Sequence, residues 1–129
     1  MTEYVVLLPG NEQPWLDATD EERAAVYGKH TQFSRALAER GHKITGGAEL
    51  APSSQAKVVR ADGSVTDGPY AESVEQLTGF YVVDTDDLDD LLQICALIAG
   101  SAGVEVRECL RGDPSDGAAS TDDAAAATR

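Results

Sequence analysis

A chain of 129 residues with 23 acidic and 10 basic side chains carries a net charge of −13 and has room for one domain with one modest core. No run of Lys or Arg tracks a phosphate backbone, which excludes nucleic acid as the expected partner, and the same negative field repels an anionic membrane. The apolar runs are too short to span a bilayer, no basic segment opens the chain, and its two cysteines form no Cys-x-x-Cys pair, so a cytoplasmic protein with reduced thiols is expected.

Tyr4-Val5-Val6-Leu7-Leu8 reads as a strand. Its near-continuous apolar run suits a central position, and Pro9-Gly10 is expected to stop it. Residues 11–17 read as a loop carrying Trp15, whose indole can serve as a pocket lid, a dimer contact or plain packing. Thr19 followed by Glu22 has capping-box spacing, and Asp20, Glu21 and Glu22 place charge where the helix dipole favours it. The helix is expected to run to about Arg40 and to end at Gly41. At about 100° per residue, Val26, His30, Phe33 and Leu37 share one narrow stripe that turns them toward the sheet. His42, beyond the glycine, is expected in solvent.

Residues 43–50 form a second strand, loosened by Gly46-Gly47. Residues 56–60 and 64–66 flank a hairpin turn. Asp67-Gly68-Pro69-Tyr70 follows, a stiff turn in which the proline fixes its own φ and the glycine tolerates the angles a proline imposes before it. Next comes a strand over 77–83, then a helix over 86–99 capped by Asp84 or Thr85, with Leu88, Leu91, Leu92, Cys95 and Ile98 on its apolar face. A last strand covers 104–109. Residues 1–111 are the expected domain. Residues 112–129, rich in Ala, Gly and Asp and lacking larger aliphatics, are expected as a disordered acidic tail.

The order strand, helix, strand, hairpin, strand, helix, strand reduces to the split βαβ, or ferredoxin-like, pattern. This is an α+β fold with an antiparallel sheet and two helices on one face. The other face has no helix to cover it, so a homodimer pressed sheet to sheet is expected.

His30 is the first candidate for chemistry. An inward imidazole either packs as a neutral, hydrogen-bonded group or moves a proton near neutral pH. Asp67 would orient that imidazole as the second member of a dyad, or serve only its own turn. Tyr70 would bind a ligand oxygen or cover the pocket mouth, Arg60 would supply local positive charge, and Glu72 would pair with a base. The two histidines have no metal-ligand spacing and the glycines no nucleotide-loop pattern, so neither metal nor cofactor is expected. Cys95 faces inward and is disfavoured as a nucleophile.

These stretches carry a resemblance. Tyr4 to Leu8, His30-x-x-Phe33 with Leu37 and Gly41, and the run from Asp67-Gly68-Pro69-Tyr70 through Ala71, Glu72 and Leu77 to Gly79-Phe80-Tyr81 resemble the YCII-related proteins. The resembling branch is the one marked by an Asp-Gly-Pro-Phe-type motif, with Tyr70 standing where phenylalanine is usual. The resemblance implies a dimeric α+β barrel and a pocket with a histidine–aspartate pair, His30 matching the family histidine and Asp67 the motif aspartate. Related dehydrochlorinases and muconolactone isomerases imply proton transfer on small ring compounds. The expected function is thus a cofactor-independent lyase or isomerase. The alternative is a non-catalytic small-ligand-binding or regulatory dimer module.

Overall fold

The computed structural model describes residues 1–110, so the tail expected over 112–129 lies outside the described residues. Strand β1 (Thr2–Asn11) leads to a short helix α1 (Glu12–Leu16) and a long helix α2 (Asp20–Glu39). Strand β2 (Lys43–Glu49), a single 3-10 turn (Ser53–Gln55) and a hairpin of β3 (Lys57–Val59) and β4 (Val65–Asp67) follow. The described chain closes with β5 (Glu75–Thr85), helix α3 (Leu88–Cys95) and β6 (Glu105–Glu108). Four strands form an antiparallel sheet in the order β2-β5-β1-β6, while β3 and β4 pair only with each other.

Strand alternation sorts the side chains. Tyr4, Val6, Leu8, Ile44, Tyr81, Val83 and Val106 face the helices, which lay Phe33, Leu37, Leu91, Ile94 and Cys95 onto them. Burying each large aliphatic here stabilises the fold by about 2 kcal/mol. Burial also pushes the Cys95 thiol up to about 11, so it remains protonated packing material. The opposite face carries Val5 beside Val82 and Leu7 beside Phe80, all four partly exposed.

Several boundaries differ from expectation. β1 does not stop at Pro9-Gly10, because a register shift between Leu8 and Pro9 carries it on to Asn11. Such an irregularity accommodates a residue that cannot donate to the ladder. Asn11 then accepts the Gln13 N–H and caps α1, where a loop was expected. α2 does begin on a capping box: Thr19 Oγ1 accepts the Glu22 N–H at 3.1 Å, and the Glu22 carboxylate accepts the Thr19 N–H at 3.0 Å. Asp87, rather than Asp84 or Thr85, caps α3. Thr85 is buried on the core face and its hydroxyl accepts the Asp87 N–H at 2.9 Å.

The expected dimeric barrel is overturned. The sheet runs from β2 at one edge to β6 at the other, and closure requires edge strands to meet. β6 offers only four residues, and β2 is bent by a register shift between Ile44 and Gly46. What stands is an open, mixed layer of sheet and helices. Among the described residues, no helix is long and apolar enough to cross a membrane.

Candidate functional site

The stripe on α2 reaches the sheet at only one end. Phe33 and Leu37 are buried, but earlier along the helix His30 is half-buried and Val26 is 40% exposed. Beneath that end lies a cavity of about 770 Å³, within the range of about 300–1,000 Å³ common for small-molecule sites. Its floor depends on Gly47, which takes φ +150° in the bend of β2. A Cβ there would stand 2.6 Å from the Phe80 carbonyl oxygen, so only glycine permits this approach of β2 to β5.

The opposite wall is α1. Trp15 meets Tyr27 edge-on, with ring centroids 5.4 Å apart. Arg23 holds α1 in place: its Nη2 donates to the Trp15 carbonyl at 2.9 Å and the Leu16 carbonyl at 3.2 Å. Its guanidinium also lies 5.1 Å from the indole centroid. On the other side Glu12 accepts from the Ser53 N–H at 2.7 Å and from the Ser53 hydroxyl. A five-residue helix is thereby fastened at both flanks.

Inside the cavity, His30 Nδ1 lies 2.7 Å from the Tyr81 hydroxyl, with the two rings stacked 5.8 Å apart. Tyr81 in turn packs against Phe33, centroids 5.0 Å apart. Burial lowers the His30 pKa from 6.5, the Glu49 carboxylate opposing it, and burial raises that of Tyr81. Both groups are therefore neutral at neutral pH. Tyr81 fixes Nδ1, which leaves Nε2 as the nitrogen a ligand would meet. At the mouth, the Tyr27 hydroxyl donates to the Glu49 carboxylate, 3.1 Å from each oxygen.

The second imidazole is elsewhere. His42 Nε2 lies 2.6 Å from Asp90 Oδ2 and its Nδ1 lies 2.5 Å from Thr85 Oγ1, while Arg40 pairs with the other Asp90 oxygen. Hydroxyl, imidazole and carboxylate stand in a row, the order of a catalytic triad. His42 is nevertheless 7% exposed and Thr85 2%, and neither borders the cavity. The expectation of a solvated His42 is thus corrected, and the helix end supplies the reason. The His42 N–H returns to the Leu37 carbonyl at 2.9 Å and the Gly41 N–H to that of Ala38 at 3.4 Å. That is a Schellman turn, with Gly41 at φ +84°. It folds the imidazole under α3.

Residues 2–111 match the YCII-related domain. The chain belongs to that family. An uncharacterised protein of Rhizobium meliloti (strain 1021) is 35% identical over 92 residues, covering 69% of this chain and 73% of the relative. The match is to the YCII-related family as a whole; neither the barrel nor a branch defined by the Asp67 turn comes with it.

Within this YCII-related domain the expected site residues fall in separate places. His30 and Trp15 line the cavity. Asp67 instead pairs with Lys57 Nζ at 2.5 Å, both side chains exposed. The Arg60 guanidinium lies 6.0 Å over the ring of Tyr70, which is 82% exposed. Glu72 borders a second, more open depression of about 500 Å³ with Pro69, Glu12 and Ser53. His30 and Asp67 share no cavity within the described chain. The β3-β4 hairpin pairs with itself, and the Gly68 N–H bonds back to the Ala56 carbonyl at 2.7 Å, which keeps the turn on the hairpin.

Tyr81, Tyr27, Glu49 and Arg23 also line the cavity, and sequence reasoning missed them. Tyr27 precedes His30 by three residues, a spacing that puts both on one helix face. Tyr81 shares strand parity with Val83, which marks it as inward-facing. Nothing local marks Glu49.

Proposed function

We propose that this cavity is the active site of a small-molecule enzyme working by proton transfer, an isomerase or lyase that needs no cofactor. The observation supporting this reading is His30, uncharged in the cavity wall and oriented at Nδ1 by Tyr81. With its Nδ1–H donated to the Tyr81 oxygen, the imidazole presents a lone pair at Nε2. That nitrogen takes a proton from the ligand and returns it at another carbon, or to a leaving group. Trp15 and Tyr27 supply an aromatic wall against which a ring compound can pack. The His42–Asp90 pair, which does not border the cavity, is assigned to holding the fold. A screen of small ring compounds with wild type and His30→Ala tests the reading, with turnover expected to fall at least about a hundredfold. Unchanged turnover removes His30 from this role.

One observation favours a second reading. The partner of His30 is a phenol rather than a carboxylate, and a phenol stabilises an imidazolium less. A binding module without chemistry uses the same cavity, and a tightly bound metabolite recovered unchanged would decide for it.

For the partner, we infer a second copy of this chain on the outer sheet face. Val5, Leu7, Phe80 and Val82 make that face apolar, and Asp84 Oδ1 is buried with no hydrogen-bond partner among the described residues. A donor from another subunit would satisfy it. Light scattering should give a dimer mass, and Val82→Asp should return a monomer.

A further inference from the structure

The charges around the cavity point to a class of ligand. Three formally charged side chains line it, Glu12, Arg23 and Glu49. Arg23 is engaged by the Trp15 and Leu16 carbonyls and by the indole, so it cannot turn to an anion without releasing α1. Glu12 is engaged by Ser53. Glu49 is different. It is exposed at the mouth and accepts from the Tyr27 hydroxyl, while a carboxylate has about four acceptor positions.

We propose that the cavity takes a small amine, its ammonium group held by the Glu49 carboxylate against the aromatic wall of Trp15 and Tyr27, with its apolar body toward His30 and Tyr81. This inference rests on the same cavity as the proposed function. Aromatic rings and a carboxylate both attract a cation, so an ammonium group gains from each. The net charge of −13 adds a field that concentrates cations and repels anions. A carboxylate-bearing ligand meets the opposite conditions: Glu49 in front of it, and a guanidinium already occupied.

Benzylamine, benzyl alcohol and phenylacetate share a ring and differ in charge, and Trp15, the single tryptophan, reports binding through its fluorescence. Benzylamine should bind saturably in the millimolar range, about tenfold tighter than benzyl alcohol, with phenylacetate weakest and added salt eroding the preference. Glu49→Gln should bring benzylamine down to the level of the alcohol, whereas Glu49→Asp keeps the charge and should keep the preference. Three results would overturn the inference: phenylacetate binding as tightly as benzylamine, a preference that survives Glu49→Gln in a folded chain, or no saturable response to benzylamine. His30→Ala separates this inference from the proposed function. Amine preference that persists while no His30-dependent turnover is found refutes proton transfer alone; His30-dependent turnover of an anionic compound refutes the amine alone.

Discussion

His30 Nδ1 stands 2.7 Å from the hydroxyl of Tyr81, so α2 and the interior strand β5 share a polar contact at the cavity floor. Tyr81→Phe keeps the ring against Phe33 and removes only the hydroxyl. The expected loss of stability is about 1 kcal/mol, read from a denaturant midpoint. The sharper readout is the imidazole itself. Nitrogen NMR of the neutral ring should show Nδ1–H in the wild type and a shift toward the Nε2–H form in Tyr81→Phe. An unchanged tautomer would mean that Tyr81 does not orient the ring.

The pH dependence of His30 has a definite sign. Burial lowers its pKa from 6.5, with the Glu49 carboxylate opposing. As pH falls, the unfolded imidazole takes up its proton before the folded one does. The unfolded state therefore holds more protons from about pH 6.5 down to the folded pKa. Stability from this group is complete above that window and declines through it. His30→Asn should flatten that part of the stability profile. In Glu49→Gln the NMR midpoint of His30 should move further down, since the opposing charge is gone; an upward move contradicts the assignment.

Gly47 gives a prediction about the cavity floor. Gly47→Ala places a Cβ at 2.6 Å from the Phe80 carbonyl oxygen with φ at +150°. Strain at such an angle costs about 1–3 kcal/mol. Thermal unfolding should shift down accordingly, and benzylamine affinity should drop with it as β2 moves from β5. Wild-type stability in this variant would show that the bend relaxes freely.

What the sequence made legible was local. Thr19 and Glu22 fix the start of α2 within a few residues of themselves, and the spacing of His30, Phe33 and Leu37 shows on one helix which residues turn inward. α1 was hidden because it is five residues long and contains Pro14, which reads as loop although the first turn of a helix tolerates proline. The misplaced features depend on routes through space. A glycine after a helix announces an end, but not that the chain will turn His42 under α3. Asp67 looked central because its turn lies mid-chain, yet whether a hairpin joins the main sheet is decided by long-range pairing. Glu49 reaches Tyr27 across 22 residues, and no periodicity connects them.

His42 and His30 should differ most clearly in what their removal costs. His42 is enclosed, with Thr85 on one ring nitrogen and Asp90 on the other. Truncating it takes one partner from the buried Thr85 hydroxyl, which keeps the Asp87 N–H, and leaves the Asp90 carboxylate with Arg40. Losing a hydrogen bond to a carboxylate and one to a buried hydroxyl costs about 2 kcal/mol. His30 is only half-buried and opens onto a cavity that water can enter, so His30→Ala should cost about 1 kcal/mol. Urea unfolding of the two alanine variants measures the contrast, and ligand titrations should reverse it: His42→Ala, where folded, should bind as the wild type does. Should His42→Ala unfold at the wild-type midpoint yet abolish turnover, the row of Thr85, His42 and Asp90 would be the catalytic group and the His30 cavity would not.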